Sequence, residues 1–88
     1  MGYFTGMAVK KSDHLIGAIV RYHRKKAKLT QLALARSAGV GKTAVFDVEQ
    51  GKKAVRLKTL QQILHVLNIR LKFEGPLMGK FEEEYEKS

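Results

Sequence analysis

Residues 29–51, LTQLALARSAGVGKTAVFDVEQG, hold two helical patterns separated by a glycine. Thr30 suits an N-cap, because its hydroxyl can accept from an unpaired amide of the first turn. Leu34, Ala35 and Ala38 then make an apolar face at i, i+1 and i+4, small enough for another helix to approach closely. Gly39 stands where the chain must reverse, and glycine enters positive φ without steric cost. Val40 closes the turn, Val45 and Val48 give the second segment a core face, and Gly51 follows as its stop. Lys42, Thr43, Phe46 and Asp47 are left pointing outward.

Two short helices joined in this way form a helix-turn-helix, which predicts DNA binding. Leu29-Thr30-Gln31, Ala38-Gly39-Val40 and Glu49-Gln50-Gly51 together resemble the XRE, or Cro/CI-type, helix-turn-helix family over roughly residues 15–69. The resemblance implies an all-α, lambda-repressor-like domain of four to five helices. Further on, Arg56-Leu57-Lys58-Thr59-Leu60 and Ile69-Arg70-Leu71-Lys72-Phe73 resemble the HipB-like antitoxin branch. That branch implies an intermolecular sheet closing a homodimer, autorepression of a type II toxin–antitoxin operon, and a HipA-like serine/threonine kinase toxin as partner. An additional small antitoxin protein can share the neutralising role in such systems. The alternative is a free-standing phage-type or housekeeping repressor without a toxin partner.

Eighty-eight residues suffice for one small domain with a modest core. No cysteine is present, which excludes a disulfide scaffold and a thiolate metal site. No apolar run approaches the length of a membrane span, and no signal peptide is apparent. With these features the expected setting is the bacterial cytoplasm, on the nucleoid. The net charge of +9 is uneven: up to Phe73 there are fifteen lysines and arginines against three acids, and from Glu74 onward five acids against two lysines. The body is basic enough for a polyanion, and the tail is locally acidic.

The chain divides into a flexible N-terminal arm over 1–11, a DNA-binding domain over 12–73 that includes a dimerisation strand, and an acidic tail over 74–88. Met7 is a second candidate start within the arm. Ser12 or Asp13 is expected to cap a first helix running to about Ala27, with Leu15, Ile16, Ile19, Val20 and His23 as its core stripe. Lysines and arginines gather near its C-terminus, where the helix dipole favours cations. A later helix over about 57–67 places Leu57, Leu60, Ile63, Leu64 and Leu67 on one face, and Asn68 is a suitable left-handed terminator. Val55 and Arg56 precede it where the commoner family pattern has Pro-Ser, so its capping is expected to come from elsewhere. Ile69, Leu71 and Phe73 alternate with Arg70 and Lys72, which predicts a half-buried strand. Nothing else in the chain resembles its partner, so the same strand of a second copy is the expected one.

Within the site, Lys42 and Thr43 are the base-edge candidates. Lysine donates to guanine O6 and N7, and threonine can donate, accept or pack on a thymine methyl. Asp47 either accepts from a cytosine amine or holds Lys42 or Lys53 in place. Phe46 is expected to pack on sugar or on a thymine methyl. Gln50, Lys52 and Lys53 are phosphate candidates. The resemblance adds Gln31 as a phosphate contact that can brace a recognition-helix side chain. It also implies that Arg24 pairs with Glu49 and approaches a phosphate.

Other chemistries fit poorly. Gly39-Val40-Gly41-Lys42-Thr43 evokes a phosphate-binding loop, but Arg36 holds the place of the first required glycine and the preceding segment is helical rather than a strand. His14, His23 and His65 lack metal-ligand spacing. No nucleophile constellation is visible, and no cofactor is implied. A binding module is expected, not an enzyme.

Overall fold

The computed structural model describes residues 7–52 and 54–87, with side chains from His14 onward. Five helices follow in order: α1 (Met7–Lys26), α2 (Gln31–Ala38), α3 (Lys42–Glu49), α4 (Leu57–Val66) and α5 (Met78–Lys87). Thr30 caps α2, its hydroxyl accepting from the Ala33 amide at 3.0 Å. Gly41 and Arg56 precede α3 and α4 without a side-chain cap.

The first four helices end alike. At each C-terminus one residue turns to positive φ: Lys28 at 60°, Gly39 at 72°, Gly51 at 77° and Asn68 at 60°. The following amide then reaches back five residues, Leu29 to the Arg24 carbonyl at 3.1 Å and Val40 to that of Ala35 at 3.0 Å. Lys52 does the same to Asp47 at 3.1 Å, and Ile69 to Leu64 at 2.9 Å. These bonds satisfy carbonyls that a helix end otherwise leaves open. Glycine takes this conformation freely, whereas Lys28 does so at a cost of about 1 kcal/mol.

The helix pair α2–α3 is the centre of the packing, with α1 against α3 and α4 against α2. Val20, Leu34, Ala35, Ala38, Val45, Val48, Ile63 and Leu64 form the buried core. Val40, Val55, Leu60, Leu67 and Ile69 pack half-buried around it. Gln62 ties α4 to α2, its side-chain amide donating to the Ala38 carbonyl at 3.2 Å.

Several expectations are corrected. The first helix begins at Met7, not at a Ser12 or Asp13 cap, because residues 7–11 hold no glycine or proline to stop a helix from growing backward. Residues 1–6 of the expected arm lie outside the described residues. Of the expected stripe Val20 is buried and Ile19 half-buried, whereas Leu15, Ile16 and His23 are exposed; α1 turns Gly17 and Arg24 inward with Val20, at i, i+3 and i+7. His23 uses its Nδ1–H locally, donating to the Ile19 carbonyl at 2.7 Å. Leu57 likewise stays exposed at the start of α4.

No β-strand occurs among the described residues, so the predicted strand over 69–73 is absent from the single chain. A strand is defined by its neighbour, and among the described residues no second segment pairs with this one. Ile69 packs on the core, while Leu71 and Phe73 are exposed. The expected acidic tail contains a helix, α5. Pro76 lies just ahead of it, and Phe81 and Tyr85 stack along it with centroids 5.5 Å apart.

Gly17 sets the approach of α1 to α3. A methyl group built there would overlap the Val48 carbonyl oxygen and lie 2.8 Å from that of Glu49. Both obstacles are backbone, so the helices themselves would have to move. Gly17→Ala is therefore expected to destabilise the chain by about 1–3 kcal/mol in urea unfolding. Gly79→Ala, in α5 with nothing within 4 Å, should be neutral or stabilising by up to about 1 kcal/mol. Equal effects of the two would contradict this packing.

Candidate nucleic-acid interface

The exposed side of α3 begins where the chain leaves Gly41. Lys42, Thr43 and Phe46 are exposed on it, one turn of helix bringing the three together. With Gln31 from the start of α2 they line a shallow concavity of about 400 Å³. Val45 and Val48, on the opposite side of α3, are buried against the core. Alternation of these two sets along eight residues is what turns the polar edge outward.

A buried carboxylate holds α3 in place. Glu49, with a side chain 2% exposed, accepts from Arg24 Nε at 2.6 Å and from Arg24 Nη2 at 3.1 Å. Gln31 Nε2 adds a third bond to Glu49 at 3.1 Å. Arg24 Nη1 donates to the Leu29 carbonyl at 2.9 Å, in the turn between α1 and α2. One acid thus joins α1, the following turn, α2 and α3. Arg24 is turned inward, its side chain 10% exposed and all three guanidinium nitrogens engaged within the chain. Gln31 is half-buried and braces α3 through Glu49.

Burial pushes the Glu49 carboxyl up, but hydrogen bonds from Arg24 and Gln31, with the charges of Arg24 and Arg21, outweigh it and hold the group below its ordinary value. The hydrogen bond to Glu49 raises the Arg24 guanidinium; burial opposes it and the charge of Glu49 adds to it. A carboxylate held low contributes stability that is present above its unfolded pKa and lost as the pH falls through its folded one.

The remaining sequence candidates are spread around this edge. Asp47, half-buried, pairs with Lys52 at 3.2 Å, rather than with Lys42. Gln50 is exposed at the C-terminal end of α3 and Lys52 just beyond it. Lys53 lies outside the described residues. Ile69, Leu71 and Phe73 stand beyond α4, apart from the concavity. Among the described residues no cluster of three or more His, Cys, Asp or Glu could hold a metal ion. No described helix is long and apolar enough to cross a membrane.

A profile described as helix-turn-helix matches residues 20–73, more than half of the chain. The chain belongs to the XRE-type helix-turn-helix family. This helix-turn-helix protein is similar to y4mF of Sinorhizobium fredii (strain NBRC 101917 / NGR234), an HTH-type transcriptional regulator. The two are 38% identical over 61 residues, which cover 69% of this chain and 80% of that protein. It is also similar to the ImmF control region 10 kDa protein of Bacillus phage phi105, 32% identical over 56 residues. That match covers 64% of this chain and 62% of the phage protein. Family and relatives together support a DNA-binding transcriptional regulator.

Two structural residues of this helix-turn-helix protein were not singled out from its sequence. Gly17 carried a signal, a lone glycine inside a helical pattern, which commonly marks a close helix contact. Gln62 carried none, since an amide on a helix face usually meets water.

Breaking the clamp tests its weight. Arg24→Ala leaves Glu49 buried without its counter-charge and is expected to cost about 3 kcal/mol or more in chemical denaturation at neutral pH. Glu49→Gln removes the titrating group. Its stability should fall less steeply than that of the unaltered chain as the pH drops below about 4. Parallel acid limbs in the two proteins would contradict the role of Glu49.

Proposed function

We propose that this chain is a sequence-specific, double-stranded-DNA-binding transcriptional repressor acting as a homodimer on a palindromic operator. The observation that carries this reading is the exposed edge of Lys42, Thr43 and Phe46, with half-buried Gln31 of α2 beside it, on a short helix fixed from behind by the Arg24–Glu49 pair. Lys42 and Thr43 read base edges in the major groove, and Phe46 packs against sugar or a thymine methyl. Asp47 accepts from a cytosine amine or, through its ion pair, sets the position of Lys52. Gln31, Gln50, Lys52 and Lys53 hold phosphates. Arg24 acts mainly through the clamp and only marginally on the backbone of the duplex. Phosphate contacts supply most of the affinity, and base contacts supply register and choice.

Ile69, Leu71 and Phe73 join two copies, whose recognition helices then sit about 34 Å apart, one turn of duplex. The residues 56–60 and 69–73 that resemble the HipB-like branch support an antitoxin role in a type II toxin–antitoxin system, with a HipA-like kinase as protein partner. The likeness to a phage control-region protein favours the second reading, a free-standing repressor with no toxin. Co-purification with a kinase separates them. In either role the chain works as a binding module on the bacterial nucleoid, without catalysis or cofactor.

The division of labour is measurable by titrating operator variants at several salt concentrations. Lys42→Ala should change preference at one base-pair position, with a discrimination loss of about 1–3 kcal/mol there. Lys52→Ala should weaken every sequence alike and reduce the salt slope by about one. The same loss from both substitutions on all variants would contradict the assignment.

A further inference from the structure

Two features beyond α4 are unfilled within one copy. The first is a concavity of about 360 Å³ whose lining includes Leu64 and His65 of α4 and Ile69, Arg70 and Phe73 of the segment that follows it. The second is the apolar stripe of α5 and its approach, Leu77, Phe81 and Tyr85, at i, i+4 and i+8. Phe81 is 54% and Tyr85 69% exposed, Phe73 is 74% exposed, and no residue of α5 is buried. A contiguous run of large apolar side chains left open to water marks a contact surface.

The two features differ in charge. Glu82 and Glu86 flank the aromatic stripe on α5, with Glu83 beside them, while Arg70 lines the concavity and Lys72 follows it. The helix is thus an acidic, aromatic wedge and the concavity a basic, apolar socket. Only residues 74–77, which include Gly75 and Pro76, separate Phe73 from α5. On this short tether the chain's own helix leaves its stripe open rather than folding it into the socket.

We propose that α5 of one copy seats Phe81 and Tyr85 in the α4–Phe73 socket of a second copy, and receives that copy's α5 in return. A two-fold axis makes the exchange reciprocal, so each wedge and each socket is filled once. The inference rests on the dimeric reading above and deepens it by adding α4 and α5 to the contact made by residues 69–73. It gives the acidic C-terminal segment a definite role: its carboxylates face Arg70 and Lys72 of the other protomer, which also keeps α5 away from the duplex.

The absence of native cysteine permits a direct test on the full chain. Chains carrying His65→Cys and Glu82→Cys are mixed and oxidised, and the cross-linked products identified by mass. The expected product is a mixed dimer joining the two positions, abolished when Phe81→Ala and Tyr85→Ala are added to the second chain. The same aromatic pair of substitutions should weaken self-association in sedimentation by at least about tenfold. Both side chains are exposed in the single copy, so the core is untouched. An internal loop in a chain bearing both cysteines, without mixed dimer, would overturn the exchange in favour of the chain's own α5. A dimer that ignores the aromatic substitutions would overturn the exchange while leaving dimeric repression standing. A monomer at all concentrations would overturn both.

Discussion

A carboxylate withdrawn from water must be met by charge and by donors, and that constraint on Glu49 organises this domain. Arg24 supplies the charge and two bonds, and Gln31 a third. Each comes from a different helix, so α3 can hold its register only while α1 and α2 hold theirs. Buried ion pairs of this kind return little net stability, because desolvation offsets most of the attraction. Their effect here is geometric. The apolar core alone would tolerate small rotations of an eight-residue helix; a bidentate guanidinium behind its last turn does not. Gly17 belongs to the same constraint, since only a residue without a side chain lets the α1 backbone come near the end of α3.

The legible parts of the fold were those decided locally. Thr30, Gly39, Gly51 and Asn68 mark helix ends by chemistry that acts within five residues, and the structure has them as a hydroxyl cap and three left-handed terminators. Leu34, Ala35, Ala38, Val45 and Val48 formed an apolar pattern too short to face any way but inward. The Arg24–Glu49 contact, which spans twenty-five residues, came from family likeness and not from spacing.

What escaped the reading depended on distant partners. Helix α1 carries two adjoining faces, one through Leu15 and Ile16 and the other through Gly17, Val20 and Arg24. Apolar periodicity favours the first, although the close approach to α3 selects the second. Lys28 was missed as a terminator because its positive φ is imposed by the turn that brings Leu29 onto Arg24, not by its own preference. Alternation over 69–73 describes a segment suited to a sheet, but pairing is a property of two segments. The last fifteen residues read as an acidic-aromatic tail because their acids outweigh their apolar content; Phe81 and Tyr85 stand at i, i+4 already in the sequence, and winding them into a helix extends the pair toward Leu77.

The site and the surface beyond α4 differ in make-up. Basic and hydrogen-bonding side chains gather around α3, where the core fixes the backbone, and exposed aromatics gather at the C-terminal end, where it does not. In the proposed complex the clamped edge of α3 enters the major groove of an operator, twice. A chemical protection footprint on the duplex upstream of the protein's own gene tests it most directly. Two protected patches with centres one helical turn apart, about 10 base pairs, at moderate ionic strength are the predicted result. Uniform protection along the duplex, or none, would contradict the account.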